Sequence, residues 1–167
     1  MKIEIVPFGK IHLEASRKYL NDREISRLFN RTYKVISPKA QKVWFENIKK
    51  DKTQLVCAIH ADGIYIGNAG FKHIDRINKK AEFYIFIGNK NFWGKGIGSI
   101  AGRLLLQSAK NKFGLHKIYL HVDEKNSRAI KLYEKLSFIA EGILKDEITR
   151  EGKKITLIRM AYFFDKK

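Results

Sequence analysis

Three glycines at alternate positions, in Trp93-Gly94-Lys95-Gly96-Ile97-Gly98-Ser99, join an apolar run to a segment with helical patterning. The run before them, Phe83-Tyr84-Ile85-Phe86-Ile87, reads as a strand. The segment from Ile97 to about Lys112 places Ile100, Leu104, Leu105 and Ala109 on one helical face. Bare backbone passing from a strand into a helix makes an anion cradle. The first helical turn leaves N–H groups without intrahelical partners, and the helix dipole favours negative charge beside them. Glycine is needed because a Cβ would hold phosphate oxygens away from that backbone. Lys95 adds a mobile positive charge. The segment predicts a phosphorylated cofactor.

The chain has 167 residues, enough for one domain with its own core, and 44% hydrophobic residues with only two prolines argue against disorder. No apolar run approaches the roughly 20 residues of a transmembrane helix. Met1-Lys2-Ile3-Glu4-Ile5-Val6 is too short and too strand-like for a secretory signal. The lone cysteine, Cys57, lies in the apolar run Leu55–Ile59 and reads as a buried core residue, so a reducing cytoplasm is expected. Neither cysteine clusters nor H-x-x-H or H-E-x-x-H spacings suggest a metal site. The net charge of +17 favours anionic partners such as nucleotides, anionic lipid or nucleic acid. Scattered lysines without a basic block fit an alternative, a generally lysine-rich and solvated surface.

The remaining patterning predicts one α/β domain on a mixed sheet, in the order β-α-α-β-β-β-α-β-α-β-β. Lys2–Val6 reads as a strand, and residues 11–30 carry a helical spacing broken near Asn21-Asp22. Ser37-Pro38 starts a helix that ends near Lys50. Gln54–His60, Ile64–Ile74 and Ala81–Gly88 read as hairpin-linked antiparallel strands around Ala61-Asp62-Gly63 and Arg76–Lys80. Lys117–Val122 is a strand, Asn126–Leu136 a helix, and Phe138–Ile148 and Ile155–Phe164 are strands around Arg150-Glu151-Gly152.

Gly96-Ile97-Gly98-Ser99-Ile100-Ala101 fits the dinucleotide pattern G-x-G-x-x-A, yet it follows three hairpin strands rather than a parallel βαβ unit. A P-loop fails because Gly96, not Ser or Thr, follows Lys95. Trp93–Ser99 instead resembles the acyl-CoA pyrophosphate loop of the GNAT N-acetyltransferase superfamily. Asn126-Ser127-Arg128-Ala129-Ile130-Lys131-Leu132-Tyr133-Glu134-Lys135-Leu136-Ser137-Phe138 is similar to that superfamily's second motif, N-x-x-A-x-x-L-Y-x-K-x-G-F. The likeness is greatest to the branch with spermidine/diamine and ribosomal-protein N-terminal acetyltransferases. Trp93 stands where the wider family often has Arg or Gln, and Ser137 replaces its usual glycine, which implies a left-handed residue or an altered helix end.

The resemblance implies acetyl-CoA as co-substrate and no metal. Phe86, Ile87 and Gly88 would present backbone to the pantetheine arm, and Trp93, Gly94, Lys95, Gly96, Ile97, Gly98 and Ser99 would hold the pyrophosphate. Asn126, Ala129 and Tyr133 would border the thioester. Tyr133 would be the general acid for the leaving thiolate. Glu82 would be the base or a substrate contact, with His73 and His121 as further candidates. On this resemblance the acceptor would be a primary amine of a small molecule, a polyamine or an amino-sugar nucleotide. Protein N-terminal or ribosomal-protein acetylation is an alternative, and a non-catalytic acyl-CoA or nucleic-acid-binding domain is the alternative of another class. The acidic residues Glu14, Asp22, Glu24 and Glu46 are interleaved with Arg17, Lys18, Arg23 and Arg27, so no clean polycation pocket is visible. The intact loop and dispersed arginines speak against nucleic acid. The last two strands offer an edge for a homodimer.

Overall fold

Asp62 and Gly63 both take positive φ, 49° and 79°. That is the type I′ hairpin turn, whose twist matches the strands it joins. It links β2 (Leu55–Ala61) to β3 (Ile64–Asp75), which pairs antiparallel with β4 (Lys80–Ile87). β1 (Ile3–Pro7) lies antiparallel on β2. After β5 (Lys117–Asp123), Glu151 and Gly152 repeat the device at φ 50° and 76° between β6 (Ile139–Arg150) and β7 (Lys153–Phe163). The computed structural model describes residues 1–164. Its seven strands form one mixed sheet in the order β1-β2-β3-β4-β5-β7-β6, with β4 and β5 parallel.

Five helices complete the fold: α1 (Leu13–Asn21), α2 (Arg23–Ser26), α3 (Pro38–Lys50), α4 (Ile97–Phe113) and α5 (Ser127–Lys135). Ser37 accepts from the Ala40 amide at 3.1 Å with Pro38 in the first turn, as its sequence predicts. Asp22 ends α1 and caps α2, accepting from the Glu24 and Ile25 amides. The helical spacing expected through Asn30 therefore stops at Ser26. Beyond it the backbone is irregular, and its polar groups go elsewhere: Asn30 donates to the His121 carbonyl and the Phe29 carbonyl accepts from Arg150.

The buried stripe of α4 also differs in phase from the expected one. Ile97, Ala101, Leu105 and Ala109 are buried, whereas Ile100 and Leu104 sit on the flank, each 41% exposed. That stripe packs on one sheet face against Phe71, Phe83, Ile118 and Leu120. Each such side chain fully removed from water contributes about 1.5–3 kcal/mol. A smaller cluster of Phe8, Phe45 and Ala58 seats α3 on the other face. Cys57 is buried in the core, and burial pushes its thiol up to about 11, which leaves it inert as a nucleophile. Of the last two strands only β6 is an edge; β7 is sandwiched between β5 and β6.

Candidate active site

Each of the two parallel strands follows a different neighbour, and the site lies where they part. β4 keeps its register with β3 as far as Ile87, and β5 stays on β7 through Asp123. Between them only Lys80–Lys117, Ala81–Ile118 and Glu82–Tyr119 are in register, so the strands diverge from Phe83 onward. The opening leads into a cavity of about 530 Å³ walled by β4, the glycine loop, α5 and the α2 region.

The loop supplies the cavity's donors. Among the described residues, none of the amides from Gly94 to Gly98 donates to a protein acceptor. Gly94 and Gly96 hold φ of 77° and 75°, a conformation that a side chain disfavours. Gly98 serves a different purpose: a Cβ there would meet Leu132 Cδ2 of α5 at 3.1 Å. The Ser99 amide, expected in the cradle, folds back with that of Ile100 onto the Gly96 carbonyl at 3.1 and 3.3 Å. The cradle is therefore Gly94–Gly98 with the start of α4. Amides without protein acceptors at a helix N-terminus suit a pyrophosphate.

The other expected contacts divide. Phe86, Ile87, Trp93, Ile97, Ser99, Asn126 and Ala129 line the cavity. The Trp93 indole donates to the Ile87 carbonyl at 2.7 Å, so the backbone group expected to be free is held by the loop's own first residue. Gly88 is not in the wall. Its amide donates to the Ile66 carbonyl at 2.7 Å, and a Cβ at Gly88 would lie 2.3 Å from the Tyr19 ring. Lys95 also lies outside the wall, its ammonium 5.3 Å from the centre of the Phe92 ring. Asn126 caps α5, accepting from the Ala129 amide at 3.1 Å.

Tyr133 stands in the wall on α5, only 9% exposed. Phe83 meets it edge-on at 6.3 Å and Phe138 lies 5.9 Å away. Burial pushes its phenol up to about 12. The chain just after it fixes its place. Phe138 donates to the Tyr133 carbonyl at 3.0 Å and Ser137 to that of Glu134 at 2.9 Å, a Schellman helix end with Ser137 at φ 66°. The serine in place of glycine is thus a left-handed residue.

Glu82 lies at the apex where β4 and β5 part, on the sheet face opposite α4, and it is not part of the cavity wall. His73 Nδ1 lies 2.9 Å from one carboxylate oxygen and His121 Nδ1 3.4 Å from the other. Three basic residues unforeseen as a group, Arg128, Lys131 and Lys135, line the cavity from α5. Their i, i+3, i+7 spacing was the available signal. Ile25, Leu28 and Phe29 also wall it; their helical spacing in the sequence does not mark them as site residues, because an irregular backbone carries two of them there. Among the described residues no group of three or more His, Cys, Asp or Glu could hold a metal ion.

The sequence profile of the acetyltransferase (GNAT) domain matches residues 2–139. The chain belongs to the GNAT acetyltransferase family. Within it, a spermidine N(1)-acetyltransferase of Escherichia coli (strain K12) is 33% identical over 113 residues, 68% of this chain and 60% of that enzyme. Another, from Vibrio cholerae, is 36% identical over 95 residues, 57% of this chain and 54% of that enzyme. The chain thus matches little more than half the length of these relatives. In three dimensions, a Vibrio cholerae spermidine N-acetyltransferase solved with CoA and spermine superposes with a TM-score of 0.88 at 26% identity. That likeness covers 96% of this chain and 95% of the other. The mixed sheet with its parted central strands is therefore the GNAT fold.

Proposed function

We propose that this chain transfers the acetyl group of acetyl-CoA to a primary amine, with a polyamine as acceptor. The observation that carries the reading is the coincidence of three features around one cavity. They are the parted β4 and β5, the unpaired amides of Gly94–Gly98, and Tyr133 in the wall. The polyamine follows from the spermidine acetyltransferase relatives.

Acetyl-CoA supplies an activated thioester; the chain's residues hold it and manage the protons. Gly94–Gly98 would bind the pyrophosphate, with Arg128, Lys131 and Lys135 adding positive charge on α5. Phe86 and Ile87 would flank the pantetheine arm, and Asn126 and Ala129 its thioester end. Tyr133 would donate to the sulfur as negative charge develops there. A phenol at about 12 holds its proton more tightly than a thiol of about 8.5. Complete transfer uphill would cost roughly 4–5 kcal/mol. Tyr133 therefore acts as a hydrogen-bond donor, or passes its proton only as the attacking amine gives up its own. Glu82, at the apex, would serve the acceptor as base or ammonium contact, directly or through the imidazoles beside it.

Two acidic groups at α2, beside the cavity wall, are already engaged: Lys90 bridges Asp22 at 2.8 Å and Glu24 at 2.5 Å. That, with the charge of +17, favours a second reading, an anionic acceptor such as an amino-sugar nucleotide. Thiol release from acetyl-CoA across spermidine, amino-sugar nucleotides, aminoglycosides and N-terminal peptides tests both. Turnover on spermidine alone supports the polyamine, and turnover on the nucleotide sugar alone supports the second reading. Acetyl-CoA binding without turnover on any amine would mark a cofactor-binding domain. No binding would overturn the assignment of the loop.

A further inference from the structure

Carboxylates on the open face of the sheet near the apex are matched to fixed cations. Glu141 is held by Lys117 at 2.5 Å and Arg159 at 3.3 Å, and Asp123 by Arg150 at 2.5 Å. Glu82 is different. Its partners among the described residues are two imidazoles, although lysines and arginines abound in the chain. The pairing also uses unusual backbone. His73 takes φ 49° where the register of β3 with β4 shifts between Lys72 and Asp75. A bulge of this kind re-aims a side chain, and a non-glycine residue there carries strain that surrounding structure must hold.

The hydrogen-bonding inventory assigns the tautomers. An ionised carboxylate only accepts, so each neutral imidazole must carry its proton on the Nδ1 that faces Glu82. His121 then has a bare Nε2 on the opposite edge of its ring. Glu82, at the last registered position of β4, and His121, two residues past the last registered position of β5, join the two strands where they begin to diverge; like Glu82, His121 lies outside the cavity wall. Phe29, in the cavity wall, is followed by Asn30, which donates to the His121 carbonyl at 2.9 Å and ties this point of β5 to the wall.

We propose that His121 is the base that takes the proton from the acceptor ammonium. Glu82 behind it fixes the tautomer and balances the imidazolium, and His73 holds the other carboxylate oxygen. The proposal rests on the acetyl-transfer reading and names its missing base. Free imidazole binds a proton about 2 units more tightly than a carboxylate does, a better match to an alkyl ammonium. The proton balance closes. The ammonium loses one proton to His121 Nε2, which passes it to solvent. As the N–C bond forms and the C–S bond breaks, the nitrogen's second proton passes to the sulfur by way of the Tyr133 hydroxyl, which gives one proton and takes one, and CoA leaves as thiol. Glu82 and His73 are positioning residues, because they act through His121.

The charged and titratable neighbours of the group come from several elements. Tyr119 packs edge-on at 5.7 Å from His121, with Arg159 over its ring at 4.4 Å. Asp51, whose carboxylate accepts from Thr53 and Gln54 and is held below its usual value chiefly by Thr53, is the acidic neighbour on the His73 side. Lys72, beside Glu82 in register on β3, lies over the Tyr84 ring at 5.0 Å.

The test compares His121→Ala, Glu82→Gln and His73→Gln with the parent, using turnover and imidazole-nitrogen NMR of the resting proteins. His121→Ala should lose about 10²-fold in kcat and regain rate as free imidazole is added. Glu82→Gln should lower kcat and move the nitrogen signals of both histidines, and His73→Gln should lower kcat while leaving KM for acetyl-CoA unchanged. An active parent whose His121→Ala variant keeps its rate, or loses it without any rescue by imidazole, would overturn the proposal. So would a resting His121 that carries its proton on Nε2, whatever the turnover. A parent inactive on every amine would overturn the function above instead, a result the NMR arm keeps separate.

Discussion

At Tyr133 one side chain carries both a chemical and a structural consequence. Tyr133→Phe keeps the packing against Phe83 and Phe138 but removes the donor. It should therefore lower kcat by roughly 10²-fold, the lower end for a general acid, with little change in KM for acetyl-CoA. A fall under twofold would make the residue structural. The same phenol sets an alkaline limit on stability. Its protonated form is favoured in the fold, since burial raises it from 10.0 to about 12. That stabilisation is complete below pH 10, the unfolded value, and is lost as pH rises through about 12, about 2–3 kcal/mol in all. Tyr65 and Tyr84 are pushed up as well by burial, so denaturant melts across this window should show a fall that Tyr133→Phe reduces without abolishing. In the loop, Gly96→Glu places a carboxylate and a Cβ in a left-handed position at the cradle. It should abolish acetyl-CoA binding by calorimetry while far-UV circular dichroism stays native. The places of Tyr133 and of the glycines in the cavity wall were legible because motifs of consecutive residues carry them. Lys95 was not, because its long side chain follows a neighbouring ring.

Among the elements, α5 depends most on how it ends and what it touches. Ser137 pays for a left-handed backbone that glycine adopts freely, and its exposed hydroxyl has no hydrogen-bond partner among the described residues. Ser137→Gly should raise stability by about 1 kcal/mol, read as a rise in Tm of about 2–4 °C for a chain of this size. The reverse experiment lies across the helix interface. A Cβ on Gly102 would come within 2.5 Å of Leu136 Cδ1, so Gly102→Val should overpack α4 against α5 and cost about 1–3 kcal/mol. If α5 shifts with it, KM for acetyl-CoA should rise too, because the helix carries one wall of the cavity. Hairpins and caps were readable here from Asp62-Gly63, Ser37-Pro38 and Asn126, since each acts on its own few residues. The extent of the helix before Asn30 was not, because Asn30 and Phe29 spend their polar groups on β5 and β6, far away in the chain.

For the whole molecule, charge gives a prediction that separates the two acceptors. With +17 overall, kcat/KM for an anionic acceptor should fall steeply with salt, whereas for spermidine it should stay flat or rise as repulsion is screened. Of the sheet's two edge strands, β1 and β6, a homodimer through the C-terminal strands would use that of β6, where Ile139 and Ile143 are 57% and 66% exposed. Light scattering on Ile143→Lys against the parent reads whether that edge associates. By itself the sequence determined the family, the order of the elements, the glycine loop and the helix bearing Tyr133, because periodicity, turn chemistry and short motifs act locally. The parting of β4 from β5, the capture of the Ile87 carbonyl by Trp93, and the meeting of His73, Glu82 and His121 were decided only by the tertiary structure. Each depends on which strand pairs with which, and that choice is made by the sheet as a whole rather than by any one segment.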